Sequence, residues 1–253
     1  TRRVLRSAGG EIGMTARPTR LAVVGLGRMG RAVEQLAPER GFEVVARLDA
    51  AHNRDGGGIT PESLAGADVI VEFTKPDAAV PNIHAALGAG YPIVVGTTGW
   101  YAALPGVINE VHRVNGALLW APNFAIGVTI FEQLVEQAAR LAAAAPGFDA
   151  HIIETHHAAK KDAPSGTALK LAEAARRGAG RDVPVTSVRT GSVPGTHELL
   201  LDAPFEQIRL EHVARDRRVF AEGALLAARW LVGRCGVFQM RDVLAPTQHP
   251  DRT

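Results

Sequence analysis

Between Glu154 and Lys170 the chain reads ETHHAAKKDAPSGTALK. Two adjacent histidines, His156 and His157, and two adjacent lysines, Lys160 and Lys161, stand just before a Ser-Gly-Thr step and an apolar run with helical spacing. Imidazoles titrate near neutral pH, so they can give or take a proton. Asp162 and Ser165 are both good helix caps, and Pro164 suits the turn at a helix start. Ser165, Gly166 and Thr167 would then form a first turn whose unpaired N–H groups face out and receive an anion. Gly166 lets that anion come close, and Lys160 adds a full positive charge beside it. The chemistry this permits is capture of a carboxylate next to a proton donor. On this stretch alone a capped surface helix with solvated charges explains the residues equally well. A strand over 151–157 would point His156 and His157 to opposite faces. Neither cysteine nor a third ligand at useful spacing beyond His151 accompanies them, so no metal is expected.

A second constellation lies near the start. GLGRMG, Gly25 to Gly30, fits G-x-G-x-x-G, with the apolar run Leu21 to Val24 before it and a helical pattern after it. Gly25 permits the tight turn, Gly27 lets the backbone approach a pyrophosphate, and Gly30 lets helix and strand pack closely. Leu26, Arg28 and Met29 fill the loop and offer backbone groups to the phosphates. Asp49 closes the second strand, where an acid accepts bonds from a ribose 2′-hydroxyl and repels a 2′-phosphate. That favours NADH, while Arg28, Arg47 and Arg54 leave NADPH open. GTTG, with Gly96, Thr97 and Thr98, ends another strand and predicts a place where small residues let the backbone touch a flat ring. APNF, Ala121 to Phe124, stands where one pattern of elements gives way to the next and reads as hinge and nicotinamide-side wall.

These residues need a scaffold. Strands alternate with helices over roughly the first half of the chain, which predicts a Rossmann-type doubly wound parallel sheet. From a long helix at 126–145 the pattern changes to strands in a row at 186–191, 197–202 and 206–214, which predicts a second α+β domain on a mixed sheet. The expected division is a disordered extension over 1–13, a dinucleotide-binding domain over 14–123 plus 218–253, and a substrate and oligomerisation domain over 124–217. Hinges are expected near Phe124 and Arg217.

Composition narrows the function. With 253 residues, 46% hydrophobic and 21% charged, the chain matches a globular protein able to bury its own core. A formal net charge of +2 and 5% aromatics argue against nucleic acid as a partner. No apolar run is long enough for a membrane span, and the single Cys235 fits a reducing compartment, so a cytoplasmic location is expected.

ETHHAAKKDAPSGTA also resembles the signature E-x-H-H-x-x-K-x-D-x-P-S-G-T-A of the 4-hydroxy-tetrahydrodipicolinate reductase (dihydrodipicolinate reductase) family. VEFTKPDA, VVGTTGW, APNFAIGV, SVRTGSVPGTHELLL, IRLEHVARDR, FAEGALLAARWL and GVFQMRDVL resemble that family in the expected order, so the likeness spans Leu21 to Leu244. Two departures stand out: a first glycine loop one glycine shorter than G-x-G-G-R-M-G, and TTGW where TTGF is more usual. The resemblance implies NADH- or NADPH-dependent reduction of a cyclic dicarboxylate on the diaminopimelate route to lysine. It implies His156 and Lys160 as catalytic residues, and His157, Ser165, Gly166 and Thr167 as substrate-binding. It implies a cofactor site over Gly25 to Gly30, Asp49, Gly96 to Thr98 and Ala121 to Phe124, and a homotetramer joined through the second sheet.

Overall fold

The computed structural model describes residues 17–245; the expected extension over 1–13 lies outside them. The first sheet is built from β1 (Thr19–Val24), β2 (Phe42–Leu48), β3 (Val69–Glu72), β4 (Ile93–Val95) and β5 (Ala117–Trp120), joined by α1 (Arg28–Leu36), α2 (Pro76–Gly88) and α3 (Leu104–Arg113). The chain then runs through α4 (Ile126–Ala144), β6 (Asp149–His156), α5 (Gly166–Ala179), β7 (Val185–Arg189), β8 (Thr196–Ala203) and β9 (Glu206–Val213). It returns with α6 (Arg218–Leu231), β10 (Gly236–Phe238) and α7 (Met240–Val243).

Six strands form a parallel sheet in the order β10-β5-β4-β3-β1-β2. Val69, Ile70 and Val71 are buried on both faces, as strands of a parallel sheet covered by helices must be. One face packs on α1 and α6 through Leu21, Val23, Val33, Val71, Ala224 and Leu225. The other packs on α2 and α3 through Val24, Ile70, Ile83, Val107 and Val111. The strand order reverses between β1 and β3, so the loops after β1, β3 and β4 open on the sheet's carboxyl edge, where such folds hold ligands.

The second sheet has the order β7-β6-β8-β9 and is mixed, with β7 parallel to β6 and the other pairs antiparallel. Helices α4 and α5 cover one face through Phe131, Val135, Ile152, Leu171 and Leu199. Alternation along β6 buries Ala150, Ile152, Glu154 and His156 together.

The structure differs from the sequence-based expectations at the ends of elements. The apolar run ALLWAPN reads as a strand over 117–123, but β5 ends at Trp120, because Pro122 has no N–H to give a ladder. Helix α3 was not expected, and GVFQMRDVL contributes a sixth strand, β10, beside β5. Three residues of β10 are too short for alternation to register.

Candidate active site

The glycine turn after β1 has a separate reason for each glycine. Gly25 sits at φ +92°, and a Cβ there would meet the Phe73 carbonyl oxygen at 2.1 Å. A Cβ on Gly30 would meet the Gly25 carbonyl oxygen at 1.8 Å, so α1 can pack on β1 only without a side chain. Gly27 has open space where its Cβ would be. The amides of Arg28 and Met29, at the α1 N-terminus, have no protein acceptor among the described residues. Open space above unpaired helix amides fits a pyrophosphate. Gly27, Arg28 and Met29 face Phe73, Thr74, Gly96, Thr97 and Thr98 across a cleft of about 290 Å³. Gly25, Leu26, Gly30, Asp49, Ala121 and Phe124 do not line it.

Asp49 Oδ1 accepts from the amides of Ala51 and His52, each at 3.0 Å, and lies 2.7 Å from His52 Nδ1. The His52 contact, then the backbone bonds, hold this exposed carboxyl below its ordinary value. Arg47 is committed to Glu34 at 2.5 Å. Behind the GTT turn lies a buried acid that the sequence did not flag. Glu72 accepts from Thr97 at 3.0 Å and from Asn82 at 3.3 Å, and it also receives the Thr74 hydroxyl. Thr97 Oγ1 in turn accepts the Thr74 amide at 2.6 Å. Burial raises the Glu72 carboxyl above its ordinary value, against the hydrogen bonds that lower it. The only sequence signal was one acid inside the apolar run VIVEFT.

The larger cleft, about 1000 Å³, lies between the two sheets. His156, His157, Lys160, Ser165, Gly166 and Thr167 all line it, with Pro122 and Asn123 from the APNF turn. His157 follows the last residue of β6, so strand alternation no longer separates it from His156. Lys170, Arg215, Arg217 and Phe220 also line it, and none of these four was expected as a ligand from the sequence. Lys170 and Thr167 share one face of α5 at helical spacing, which was a readable signal.

Ser165 caps α5, its Oγ accepting the Ala168 amide at 3.2 Å. Its own amide donates to Glu154 Oε1 at 3.2 Å, and its hydroxyl lies 3.4 Å from His197 Nε2. Both polar groups of Ser165 are therefore engaged. The amides of Gly166 and Thr167 have no protein acceptor among the described residues, and nothing lies within 4 Å of a Cβ built on Gly166. Asn123 Nδ2 donates to Thr167 Oγ1 at 3.2 Å, linking the end of the first sheet to this turn. Lys160 Nζ pairs with Asp162 at 2.7 and 2.9 Å.

His156 is nearly buried, 8% exposed, and its Nδ1 lies against Glu154 Oε2. Glu154 is fully buried, and Arg189 Nη2 donates to its Oε1 at 2.6 Å. Burial pushes the Glu154 carboxyl up, but Arg189, Ser187, His156 and the Ser165 amide outweigh it and hold it at about 2. Burial lowers the His156 imidazole, Glu154 raises it, and Lys160 and Arg189 lower it further. The His197 ring stands 5.2 Å from that of His156, and burial, aided by His156, brings it down to about 4. One nitrogen or oxygen each from Glu154, His156 and His197 lies within 4.8 Å of the others, a grouping the sequence did not offer. The guanidinium of Arg189 already balances the carboxylate in this cluster.

A glycine turn with open helix amides on a parallel sheet, together with a cationic cleft between that sheet and a second one, defines a two-domain nicotinamide-dependent oxidoreductase. Residues 19–124 match the family described as dihydrodipicolinate reductase, N-terminus, and residues 127–244 match dihydrodipicolinate reductase, C-terminus. The chain belongs to the dihydrodipicolinate reductase family. It is 40% identical over 243 residues to a 4-hydroxy-tetrahydrodipicolinate reductase of Stenotrophomonas maltophilia, covering 91% of this chain and 100% of that one. It is 37% identical over 265 residues to the enzyme of the same name from Thiobacillus denitrificans, covering 89% and 98%. In fold it is similar to a dipicolinate-bound dihydrodipicolinate reductase from Paenisporosarcina sp. TG-14, with a TM-score of 0.74 at 23% identity over 88% of this chain and 97% of that one.

Proposed function

We propose that this protein reduces 4-hydroxy-tetrahydrodipicolinate to tetrahydrodipicolinate, with loss of water, in diaminopimelate and lysine synthesis, and that NADH is its preferred coenzyme. The observation that carries the reading is the larger cleft. Two unpaired helix amides, on Gly166 and Thr167, open into a space walled by His156 and Lys160 and by the further cations Lys170, Arg215 and Arg217, with Asp216 the one carboxylate among its lining residues. That arrangement suits a small molecule with two carboxylates. The relatives named above carry the same activity in their names.

Loss of the ring's 4-hydroxyl with a neighbouring hydrogen, as water, leaves a conjugated imine, to whose C4 a reduced nicotinamide, when bound, would supply hydride. The chain's residues do the rest. The Gly166 and Thr167 amides and the Thr167 hydroxyl receive one carboxylate at the α5 N-terminus. Lys160 receives the other, exchanging part of its contact with Asp162 for the substrate. His157 bears on the ring from the same wall. Negative charge displaced from C4 into the conjugated ring is quenched by a proton from His156, with Lys160 as a second donor. General acid help of this kind contributes roughly 10²–10⁴-fold, and the carboxylate clamps add orientation. Gly25 to Gly30, Gly96 to Thr98 and Ala121 to Phe124 would hold the coenzyme, and Asp49 would meet its adenosine ribose. Asp49 Oδ1 is taken by the following loop and Arg47 by Glu34, which favours a ribose without a 2′-phosphate.

The same reading divides the protein at 123/124 and 217/218, works in the cytoplasm, and assembles four copies through the second sheet. Its support for assembly is the exposed apolar residues Ile208 and Val213 on β9 and Phe205 beside it. The deciding experiment supplies enzymatically generated substrate and follows oxidation of NADH and NADPH by absorbance. Faster oxidation of NADH is expected; no oxidation of either overturns the activity, and a preference for NADPH overturns the coenzyme.

A further inference from the structure

Glu154 has no place in the mechanism above, yet it is fully buried and meets Arg189, His156 and the Ser165 amide. It stands two residues before His156, and strand alternation puts both on one face of β6. Its Oε2 faces His156 Nδ1, and neither atom has another polar partner among the described residues. Its Oε1 accepts from Arg189 Nη2 at 2.6 Å and from the Ser165 amide at 3.2 Å. Arg189 also donates to the Asp162 carbonyl at 2.5 Å, which binds the end of β7 to the loop that carries Lys160. One carboxylate thus touches the ring of the proton donor with one oxygen and the first turn of the anion-binding helix with the other.

We infer that Glu154, braced by Arg189, is a positioning residue that sets the tautomer and charge of His156 and locks it in register with the amides of Gly166 and Thr167. The inference rests on the proposed role of His156. A carboxylate against Nδ1 keeps a hydrogen there, so the nitrogen that exchanges a proton with substrate is Nε2, at the cleft beside Gly195, where a Cβ would lie 3.0 Å from it. The carboxylate also favours the imidazolium, the form that can donate. The charged and titratable groups around the ring act in known directions: Glu154 from β6 raises its proton affinity, while Arg189 from β7 and Lys160 from the loop lower it. His197 from β8 stands against the ring, His212 from β9 lies one ring further at 6.4 Å from His197, and Asp162 is paired with Lys160.

The test has two parts. In the unsubstituted protein, ¹⁵N chemical shifts of the His156 ring are followed against pH. The neutral ring is expected to carry its hydrogen on Nδ1; a neutral ring protonated on Nε2 overturns the inference, whatever substrate the protein takes. In the second part, kcat is measured against pH for Glu154→Gln and Arg189→Met, with melting and coenzyme binding as controls for folding. His156 must be protonated to act, so activity fades as pH rises through its titration. Glu154→Gln keeps the acceptor for the Ser165 amide but removes the charge. That limb should move down by about one pH unit or more, with kcat at neutral pH lower by about tenfold or more and KM little changed. Arg189→Met should move the same limb upward. Limbs that stay put, or that move in one direction in both variants, make Glu154 a mere structural support and overturn the inference. A protein that turns over no substrate would sink the proposed function, and the ring titration would still decide the Glu154 contact.

Discussion

His156 and Lys160 reach the cleft from two kinds of backbone. His156 ends a strand whose neighbours fix it, whereas Lys160 rides a loop and is restrained by Asp162. Replacing either with alanine should lower turnover by roughly 10²–10⁴-fold and leave NADH binding intact, as read by steady-state rates beside coenzyme titration. Undiminished turnover would remove that residue from the mechanism. His197 supports a prediction on stability. Its folded-state proton affinity is depressed from 6.5 to about 4. The unfolded chain therefore binds the extra proton in that window, so stability is full above pH 6.5 and falls as pH drops toward 4. Glu154, depressed from 4.5 to about 2, extends the loss below that. Denaturant midpoints measured across this range should fall with acid, and His197→Gln should flatten the upper part of the slope. His156, Lys160 and the Ser-Gly-Thr step were legible in the sequence because each type has few other reasons to stand at that spacing. Arg189 and His197 were not, because only pairing with β6 brings them beside Glu154 from 35 and 43 positions further along the chain.

The α1 and α5 N-termini use the same physics for different loads, and their glycines separate folding from binding. A methyl on Gly30 would strike the Gly25 carbonyl, whereas one on Gly27 would project into open space. Gly30→Ala should therefore unfold at lower temperature, by a free energy of about 1–3 kcal/mol. Gly27→Ala should melt like the parent and bind NADH much more weakly. Calorimetry and coenzyme titration on the two proteins check both halves. At α5, Ser165→Ala removes the bond to the Ala168 amide and should cost about 1 kcal/mol of stability. The parallel sheet was readable because its strands are short apolar runs bounded by glycine and alternating with helical periods. β10 escaped because three half-buried residues carry no period, and its place is set by pairing with β5 from far along the chain.

At the scale of the whole molecule, the smaller cleft lies at the edge of the first sheet and the larger between the two sheets, which are tied at the APNF turn where Asn123 holds Thr167. The outer strand β9 is mostly exposed, with Ile208 44% and Val213 53% accessible. If four copies meet there as proposed, Ile208→Glu should yield smaller particles in sedimentation, with the melting of the separated subunit retained in part. An unchanged sedimentation coefficient would place the contact elsewhere.

Helix α6 and strand β10 come from beyond the second sheet yet complete the first. On a ribosome, Leu21, Val23 and Val71 emerge long before Ala224, Leu225 and Leu231, the side chains that close over them. The inserted unit, whose strands and helices are contiguous in the chain, has its partners to hand first. The nucleotide-binding half must wait, with one oily face bare, until synthesis has passed residue 231. A chaperone that shields nascent apolar surface would find its target on that face rather than on the later-made sheet.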